Sequence, residues 1–126
     1  MHTFAIQEKN VTIFPSASSQ APIIYLNTFS NEGVEVFEAI QAASSSPFHL
    51  AVIRNLCWNH DMAPWDSPPA FKNGEPCIRG ADDYLRLLTK EIIPATEKEI
   101  PGVPRWRGIA GYSLAGLFAL YAFYHT

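Results

Sequence analysis

Two long apolar runs with an amphipathic segment between them dominate the hydrophobic pattern of the N-terminal half. Residues 22–27 and 48–53 are apolar almost without interruption, which is typical of strands that are buried on both faces in a parallel sheet. Over residues 34–41, apolar side chains recur at spacings of three and four, which predicts a helix with one apolar face. This order of strand, helix and strand predicts one βαβ unit, whose crossover should be right-handed.

A second strand–helix–strand series follows in the C-terminal half. Residues 84–92 carry an apolar stripe at helical spacing, and Pro94 should kink or end that helix because it lacks a backbone donor. Residues 106–110 form a short apolar run, and residues 114–124 form an uncharged, strongly apolar segment. The alternation predicts an α/β three-layer sandwich with a mainly parallel central sheet, formed by residues 1–126 as a single domain.

Three further segments are shorter or irregular. Residues 3–7 and 11–14 predict either a hairpin or two edge strands. Residues 15–20 hold three serines and predict a loop. Residues 56–80 contain four prolines and two tryptophans. A long loop of this kind inside a domain is usually functional, and its large aromatic rings favour an ordered, packed loop.

Composition and charge place the chain among globular proteins. Apolar residues make up 48% of the chain and charged residues 17%, which excludes a disordered chain. The net charge of −3 and the lack of a basic cluster argue against nucleic acid as a partner. Cys57 and Cys77 are too few for a disulfide framework, so we expect reduced thiols and a cytoplasmic protein.

The apolar segments also raise the question of a membrane. The chain does not open on a basic region followed by a long apolar run, so a secretory leader is not predicted. Residues 108–124 carry no charge, which is close to the lower limit for a spanning helix of about 20 residues. Three glycines and a serine interrupt that run, so a membrane anchor is not expected.

The segment around Ser113 carries the clearest chemical signal. It reads Gly111-Tyr112-Ser113-Leu114-Ala115 and joins the last predicted strand to the last predicted helix. This is the layout of a nucleophile elbow, a tight turn that presents a serine oxygen to a substrate. Such a turn needs small residues two positions before and after the serine, and alanine in place of the usual second glycine is small enough. The bare pattern also arises by chance, but its strand-to-helix context favours Ser113 as a catalytic nucleophile.

Two backbone amides are predicted to hold the oxyanion that forms during attack by Ser113. The amide of Leu114 opens the following helix, where free N–H groups point at an anion. A second donor should come from the loop after an earlier strand. We expect the amide of Phe29 there, with Thr28 as the neighbouring alternative, although an ordinary strand–helix loop would look the same. Thr28 and Tyr112 are candidate pocket residues.

No residue of the chain is well placed as the base for Ser113. Only 13 residues follow it, with no Asp or Glu and a single histidine, His125. In a helix, His125 would lie about 18 Å along the axis from Ser113, far beyond hydrogen-bond reach. His60, next to Asp61, is the one pair that suggests a base. Because adjacent side chains diverge, a pocket or loop-anchoring role for His60 is favoured instead.

Residues 108–122 resemble the elbow and following helix of the α/β-hydrolase superfamily. They are most similar to the esterases related to siderophore esterases and esterase D. Residues 84–94, which end Glu-Ile-Ile-Pro, and the loop segments 59–65 and 80–82 also resemble these proteins, so the resemblance runs from about residue 22 onward. It implies an esterase or related acyl hydrolase with no metal or organic cofactor, acting on a small-molecule ester that it does not fix. It also implies Ser113 as nucleophile and Leu114 as oxyanion donor.

The resemblance also implies that part of the machinery is missing. In this superfamily the triad acid and histidine follow the serine along the chain, and neither is present after Ser113. We therefore expect the N-terminal part of an α/β-hydrolase domain, truncated after the nucleophile helix. The apolar side chains of residues 117–124 cannot all be buried by what precedes them, which predicts a homo-oligomer or contact with a missing C-terminal half. The alternative function is a non-enzymatic binding or assembly module whose last helix docks on a partner.

Overall fold

The computed structural model of the protein describes residues 2–18, 20–69 and 72–125. Ser19 of the predicted serine-containing loop, and Ala70 and Phe71 of the predicted proline-rich loop, lie outside the described residues. The elements follow in this order: β1 (His2–Ile6), β2 (Lys9–Phe14), β3 (Ile23–Asn27), α1 (Gly33–Ala43), β4 (His49–Arg54), α2 (Trp58–Asp61), α3 (Ala81–Leu87), a π-helical turn (Leu88–Ile92), α4 (Ile93–Glu97), β5 (Arg107–Ala110) and α5 (Leu114–His125).

Five strands form one mixed sheet in the order β1-β2-β4-β3-β5. β4 and β5 both run parallel to β3, whereas β2 pairs antiparallel with β1 and with β4. The prediction of an α/β fold is confirmed, but the prediction of a mainly parallel sheet is wrong. The cause is the N-terminal hairpin. Its turn has positive φ at both Gln7 (46°) and Glu8 (72°), as the tightest turns between antiparallel strands require.

The apolar runs of β3 and β4 are buried on both faces of the sheet, as predicted. Successive side chains point to opposite faces, so Ile23 and Tyr25 contact one core while Leu26 and Leu50 contact the other. The larger core lies between the sheet and helices α3 and α5, and the smaller core between the sheet and α1. The fold therefore has helices on both faces of the sheet.

The helical segment on the larger core changes to a π-helical turn just before Pro94 but does not end there. Regular α-helix ends at Leu87, a π-helical turn follows, and Pro94 stands in the first turn of α4. Proline cannot donate to the carbonyl four residues earlier, and the wider π turn accommodates that missing bond. Residues 81–97 thus stay one continuous helical layer over the sheet.

The order of strands brings two loops together at one edge of the sheet. β3 lies between β4 and β5, so the chain moves across the sheet first in one direction and then in the other. Leu26 is in register with Ala110, which ends β5. Ligands of open α/β sheets bind outside the carboxyl ends of strands at such a reversal. The segments at residues 28–30 and 111–113 therefore meet where a ligand site is expected.

β5 and α5 form a surface that the rest of the described fold covers only in part. β5 is an edge strand of the sheet in the described part of the chain. Phe118 of α5 is fully buried, but Leu120, Phe123 and Tyr124 are exposed. The prediction that this helix cannot be covered completely is confirmed. Among the described residues, no helix combines the length and apolar character needed to cross a bilayer.

Candidate active site

Ser113 occupies a strained turn between β5 and α5. Its φ is 54°, in the left-handed region that non-glycine residues seldom adopt. Ser113 is exposed, and α5 begins at the next residue. Strained backbone of this kind persists only where the surroundings enforce it, and it is concentrated at functional sites. The turn therefore leaves Ser113 exposed between the strand and the helix.

Close contact between Gly111 and Ala115 enforces that turn. A Cβ atom at Gly111 would lie 2.4 Å from the carbonyl oxygen of Ala115 and 2.7 Å from its Cβ. Non-bonded carbon atoms are not found at such distances in folded proteins, so only glycine fits at position 111. The small residues two positions before and after Ser113 are thus in mutual contact.

The first turn of α5 presents one free donor beside Ser113. The amides of Ala115 and Gly116 are already bonded, to the carbonyl oxygens of Tyr112 (2.9 Å) and Ser113 (3.0 Å). Within the described part of the chain, the Leu114 amide has no hydrogen-bond partner. An unpaired N–H at a helix N-terminus next to the serine is the arrangement that stabilises a developing negative charge.

The loop after β3 places Thr28 and Phe29 differently. Thr28 is buried, and both its amide (2.9 Å) and its hydroxyl (3.0 Å) donate to the carbonyl oxygen of Ile53. The Phe29 amide instead donates to the hydroxyl of Tyr112 at 3.0 Å. Phe29 and Tyr112 therefore meet beside Ser113, while Thr28 anchors the loop to β4.

The hydroxyl of Tyr112 links this loop to Glu32. It accepts the Phe29 amide and donates to the carboxylate of Glu32, which also accepts the Ser30 amide at 3.3 Å. Partial burial and the bond to Glu32 raise the pKa of the Tyr112 hydroxyl. The phenol therefore remains a hydrogen-bond donor at neutral pH.

A pocket of about 670 Å³ opens beside Ser113. It brings together four of the predicted site residues, Ser113, Leu114, Phe29 and Tyr112. Thr28 and His60 do not line it. The sequence did not single out the rest of its lining, which comes from the loop after β3, from the proline-rich loop and from α5: Glu32, Trp58, Asn59, Ser67, Pro68, Glu75, Cys77 and Leu117.

His60 anchors the start of the proline-rich loop. Its Nδ1 lies 3.2 Å from Oδ1 of Asp61, and its ring packs so closely on Gly80 that a Cβ there would come within 2.5 Å of it. Asp61 is itself buried, pairs with Lys9 at 2.8 Å and accepts the Cys57 amide at 2.9 Å. These contacts join α2 to β2 and to the start of α3, away from Ser113.

The other described histidines also lie away from the pocket. His2 faces Glu99 at 3.6 Å, and His49 is buried, where it accepts the Ser16 amide at 2.8 Å. His125, in the last turn of α5, stacks on Tyr121. Among the described residues, no histidine lines the pocket beside Ser113, and no three His, Cys, Asp or Glu residues cluster as metal ligands.

Comparison with solved structures supports the fold. The siderophore hydrolase EstA from Aspergillus nidulans matches with a TM-score of 0.70 at 18% identity, over 98% of this chain and 51% of that one. The enterobactin hydrolase IroE, solved in complex with DFP, matches with a TM-score of 0.64 at 20% identity, over 94% of this chain and 53% of that one. The chain thus spans about half the length of each of these structures.

Comparison at the level of sequence identifies the family. No curated protein matches the chain. The model of the family described as "Putative esterase" matches residues 33–126, which include α1, the proline-rich loop and the whole Ser113 turn. The protein therefore belongs to this esterase family, as its resemblance to α/β-hydrolase esterases predicts.

Proposed function

We propose that this chain carries the nucleophile and oxyanion site of a serine esterase. The observation that carries the proposal is the left-handed backbone of Ser113, enforced by the contact between Gly111 and Ala115, in the lining of the pocket. Membership of the esterase family supports hydrolysis of esters in general. The serine mechanism and the named residues are our own assignment.

The proposed reaction proceeds through an acyl-enzyme. The Ser113 oxygen attacks the carbonyl carbon of a carboxylic ester and gives up its proton to a base. The negative charge that develops on the carbonyl oxygen is held by the Leu114 amide. Collapse of this intermediate breaks the bond to the alcohol and leaves an ester on Ser113, which water then hydrolyses. The Phe29 amide can join Leu114 as second donor once the Tyr112 hydroxyl moves off it.

The histidine that acts as base and the acid that orients it are proposed to lie outside the described residues. No histidine of the described chain lines the pocket, and no Asp or Glu follows Ser113 in the sequence. In this superfamily the acid and the histidine follow the serine. We infer that they belong to the part of the hydrolase domain that corresponds to the other half of the matched structures.

Labelling with a fluorophosphonate tests the nucleophile directly. Without a base the Ser113 hydroxyl is a weak nucleophile, but the oxyanion donor beside it still favours attack on the probe, so slow labelling of Ser113 is expected. Imidazole in the buffer should accelerate it by supplying the missing base. Peptide mass spectrometry should place the adduct on Ser113, and Ser113→Ala should abolish it.

Ser67 provides the matched control for that experiment because it lines the same pocket. Ser67→Ala should label as fast as the wild type, with the same response to imidazole. A label that is scattered over several serines, that ignores imidazole or that survives Ser113→Ala would overturn the assignment.

A role as an assembly module is the second candidate, and the surface of α5 favours it. Leu120 is 55% exposed, and Phe123 and Tyr124 are each 74% exposed, beside the edge strand β5. Exposed apolar patches of this kind mark interaction surfaces. Concentration-dependent self-association in size-exclusion chromatography, reduced by Phe123→Lys but not by Val103→Lys at an equally exposed loop position, would support a homo-oligomer. A monomer at all concentrations would exclude it.

A further inference from the structure

The pocket beside Ser113 has an unusual combination of linings. Three aromatic residues, Phe29, Trp58 and Tyr112, and two glutamates, Glu32 and Glu75, line it. None of its lining residues is Lys, Arg or His. We call these five residues the aromatic–acidic cluster. A pocket with this lining has a negative potential and apolar walls at the same time.

The three rings form a connected wall. Trp58 lies between the other two, with its ring centroid 5.2 Å from Phe29 in an edge-on arrangement and 5.9 Å from Tyr112 in a tilted one. Phe29 is 66% exposed and Tyr112 is 43% exposed, so neither residue is buried in the protein core. Aromatic faces within about 6 Å of a cation attract it through the ring quadrupole.

The two glutamates of the cluster differ in how they are held. Within the described residues, Glu32 accepts hydrogen bonds from two neutral donors, the Tyr112 hydroxyl and the Ser30 amide. Glu75 is exposed, and its backbone carbonyl accepts the Asn59 amide group. Within the described chain, neither carboxylate forms an ion pair. The charge is therefore left for a ligand to balance.

Two arginines, Arg54 and Arg79, are bonded to other side chains. Arg54 donates to Asn31 at 2.9 Å, and Arg79 pairs with Asp82 at 2.5 Å. Neither side chain lines the pocket. A hydrated metal ion is a poor match as well, because hard cations require six or more oxygen ligands and most of this wall is apolar. A cation that carries its own apolar surface fits both features.

From this we propose that the aromatic–acidic cluster binds an alkylated ammonium group, and that the substrate of the Ser113 site is an ester bearing such a cation. The substrate assignment rests on the proposed function, whereas binding of the cation does not. Methyl groups of the ammonium contact the rings of Phe29, Trp58 and Tyr112, and its charge is balanced by Glu32 and Glu75. The ester carbonyl is then held beside Ser113 and the Leu114 amide, which line the same pocket.

Choline and its neutral carbon analogue, in which carbon replaces the ammonium nitrogen, test the proposal on the 126-residue chain. The two have the same shape, so only charge distinguishes them. Each is titrated at constant ionic strength while the indole N–H signal of Trp58 is followed by NMR. We expect saturable shifts with choline and a dissociation constant about threefold to thirtyfold lower than that of the analogue. Equal binding of the two, or no shift of Trp58 with choline, would overturn the proposal.

Matched substitutions locate the site. Glu75 is exposed, so Glu75→Gln should leave the fold intact. It should weaken choline binding about threefold or more. Glu38→Gln, an equally exposed glutamate on α1 away from the pocket, should change nothing. Equal effects of the two substitutions would mean that choline responds only to the net charge of the protein, which would contradict a specific binding site.

The nucleophile is tested separately in the same samples. Ser113→Ala should retain choline binding, because the aromatic–acidic cluster does not include the serine. Loss of choline selectivity with intact, imidazole-dependent labelling of Ser113 would overturn the cation site alone. Choline binding without labelling would instead overturn the serine proposal alone.

Discussion

The hydroxyl of Tyr112 accepts the backbone amide of Phe29 at 3.0 Å, across 83 positions of sequence. This one bond joins the loop after β3 to the turn that holds Ser113. In this bond, the Phe29 amide that the sequence predicts as second oxyanion donor is already paired. In the proposed mechanism, a substrate oxygen would have to compete for this amide with a phenol that is hydrogen-bonded to Glu32.

Removal of that phenol should free the Phe29 amide. In Tyr112→Phe the amide loses its acceptor, and its hydrogen exchange should become about fivefold faster, which corresponds to the roughly 1 kcal/mol of a typical hydrogen bond. NMR-detected exchange of the Phe29 amide measures this directly. Tyr124→Phe, at an exposed position of α5, is the control and should leave Phe29 unchanged. Unaltered exchange in Tyr112→Phe would show that the bond does not form in solution.

Gly111 should be intolerant even of alanine. The added methyl group would overlap the backbone oxygen of Ala115, and overpacking of this kind costs about 1–3 kcal/mol. Urea denaturation should show that loss in the free energy of unfolding, together with displaced NMR signals for Ser113 and Leu114.

Gly116→Ala is the matched control for that substitution. A Cβ at Gly116 would lie 3.4 Å from its nearest neighbour, the carbonyl oxygen of Gly111. Because alanine is favoured over glycine within a helix by about 1 kcal/mol, Gly116→Ala should be neutral or stabilising. Comparable losses at both positions would contradict the proposed steric origin.

Local sequence was sufficient to predict the elements that build the site. Continuous apolar residues in β3 and β4 indicated burial on both faces, and the spacing of glycine, serine and alanine indicated the Ser113 turn. Both signals depend on residues within a few positions of each other. The same is true of Leu114, whose unpaired amide follows from its place at the start of a helix.

Pairings between distant segments could not be predicted in this way. The antiparallel pairing of β2 with β4 depends on register and burial over some 40 positions, and it changed the expected sheet from mainly parallel to mixed. The place of Glu32 in the pocket likewise depends on Tyr112, 80 positions away. For His60, the neighbouring Asp61 suggested a base, but the divergence of adjacent side chains favoured a pocket or loop-anchoring role, and its ring packs on Gly80.

His49 should make stability depend on pH near neutrality. Burial lowers its pKa from the ordinary value of 6.5, so the unfolded chain takes up a proton at a higher pH than the folded one. The contribution of neutral, buried His49 to the free energy of unfolding is full above about pH 6.5 and declines as pH falls through that value. NMR titration of the His49 ring should give a midpoint below 6.5.

His49→Gln separates this contribution from others. Its side-chain oxygen can still accept the Ser16 amide, which His49 accepts at 2.8 Å, but it does not titrate. The free energy of unfolding of this variant should vary less between about pH 5 and 7 than that of the wild type. An unchanged slope would mean that His49 is protonated equally easily in the folded and unfolded states.

Glu97 should control stability in a lower pH range. It accepts both Arg107 (2.5 and 2.6 Å) and the Tyr25 hydroxyl (2.9 Å), which joins α4 to β5 and β3. Burial alone would raise the pKa of Glu97, but the bonds from Arg107 and Tyr25 outweigh it and lower the pKa from 4.5. A carboxyl group with a lowered pKa stabilises the fold above its unfolded pKa, and this stability is lost as pH falls through the folded pKa.

Glu97→Gln should therefore lower the free energy of unfolding by about 2 kcal/mol at pH 7, which is typical of hydrogen bonds to charged groups. This deficit should shrink below about pH 4.5, because the wild type loses the same interaction there. Urea denaturation across this range measures the difference. Glu99→Gln, two residues on and half-exposed beside His2, should have little effect at any pH. Because Glu97 holds β5 through Arg107, the same substitution should also broaden the NMR signals of Ser113, which lies three residues beyond the far end of that strand. A deficit that stays constant down to pH 3 would show that packing, and not the charge of Glu97, stabilises this junction.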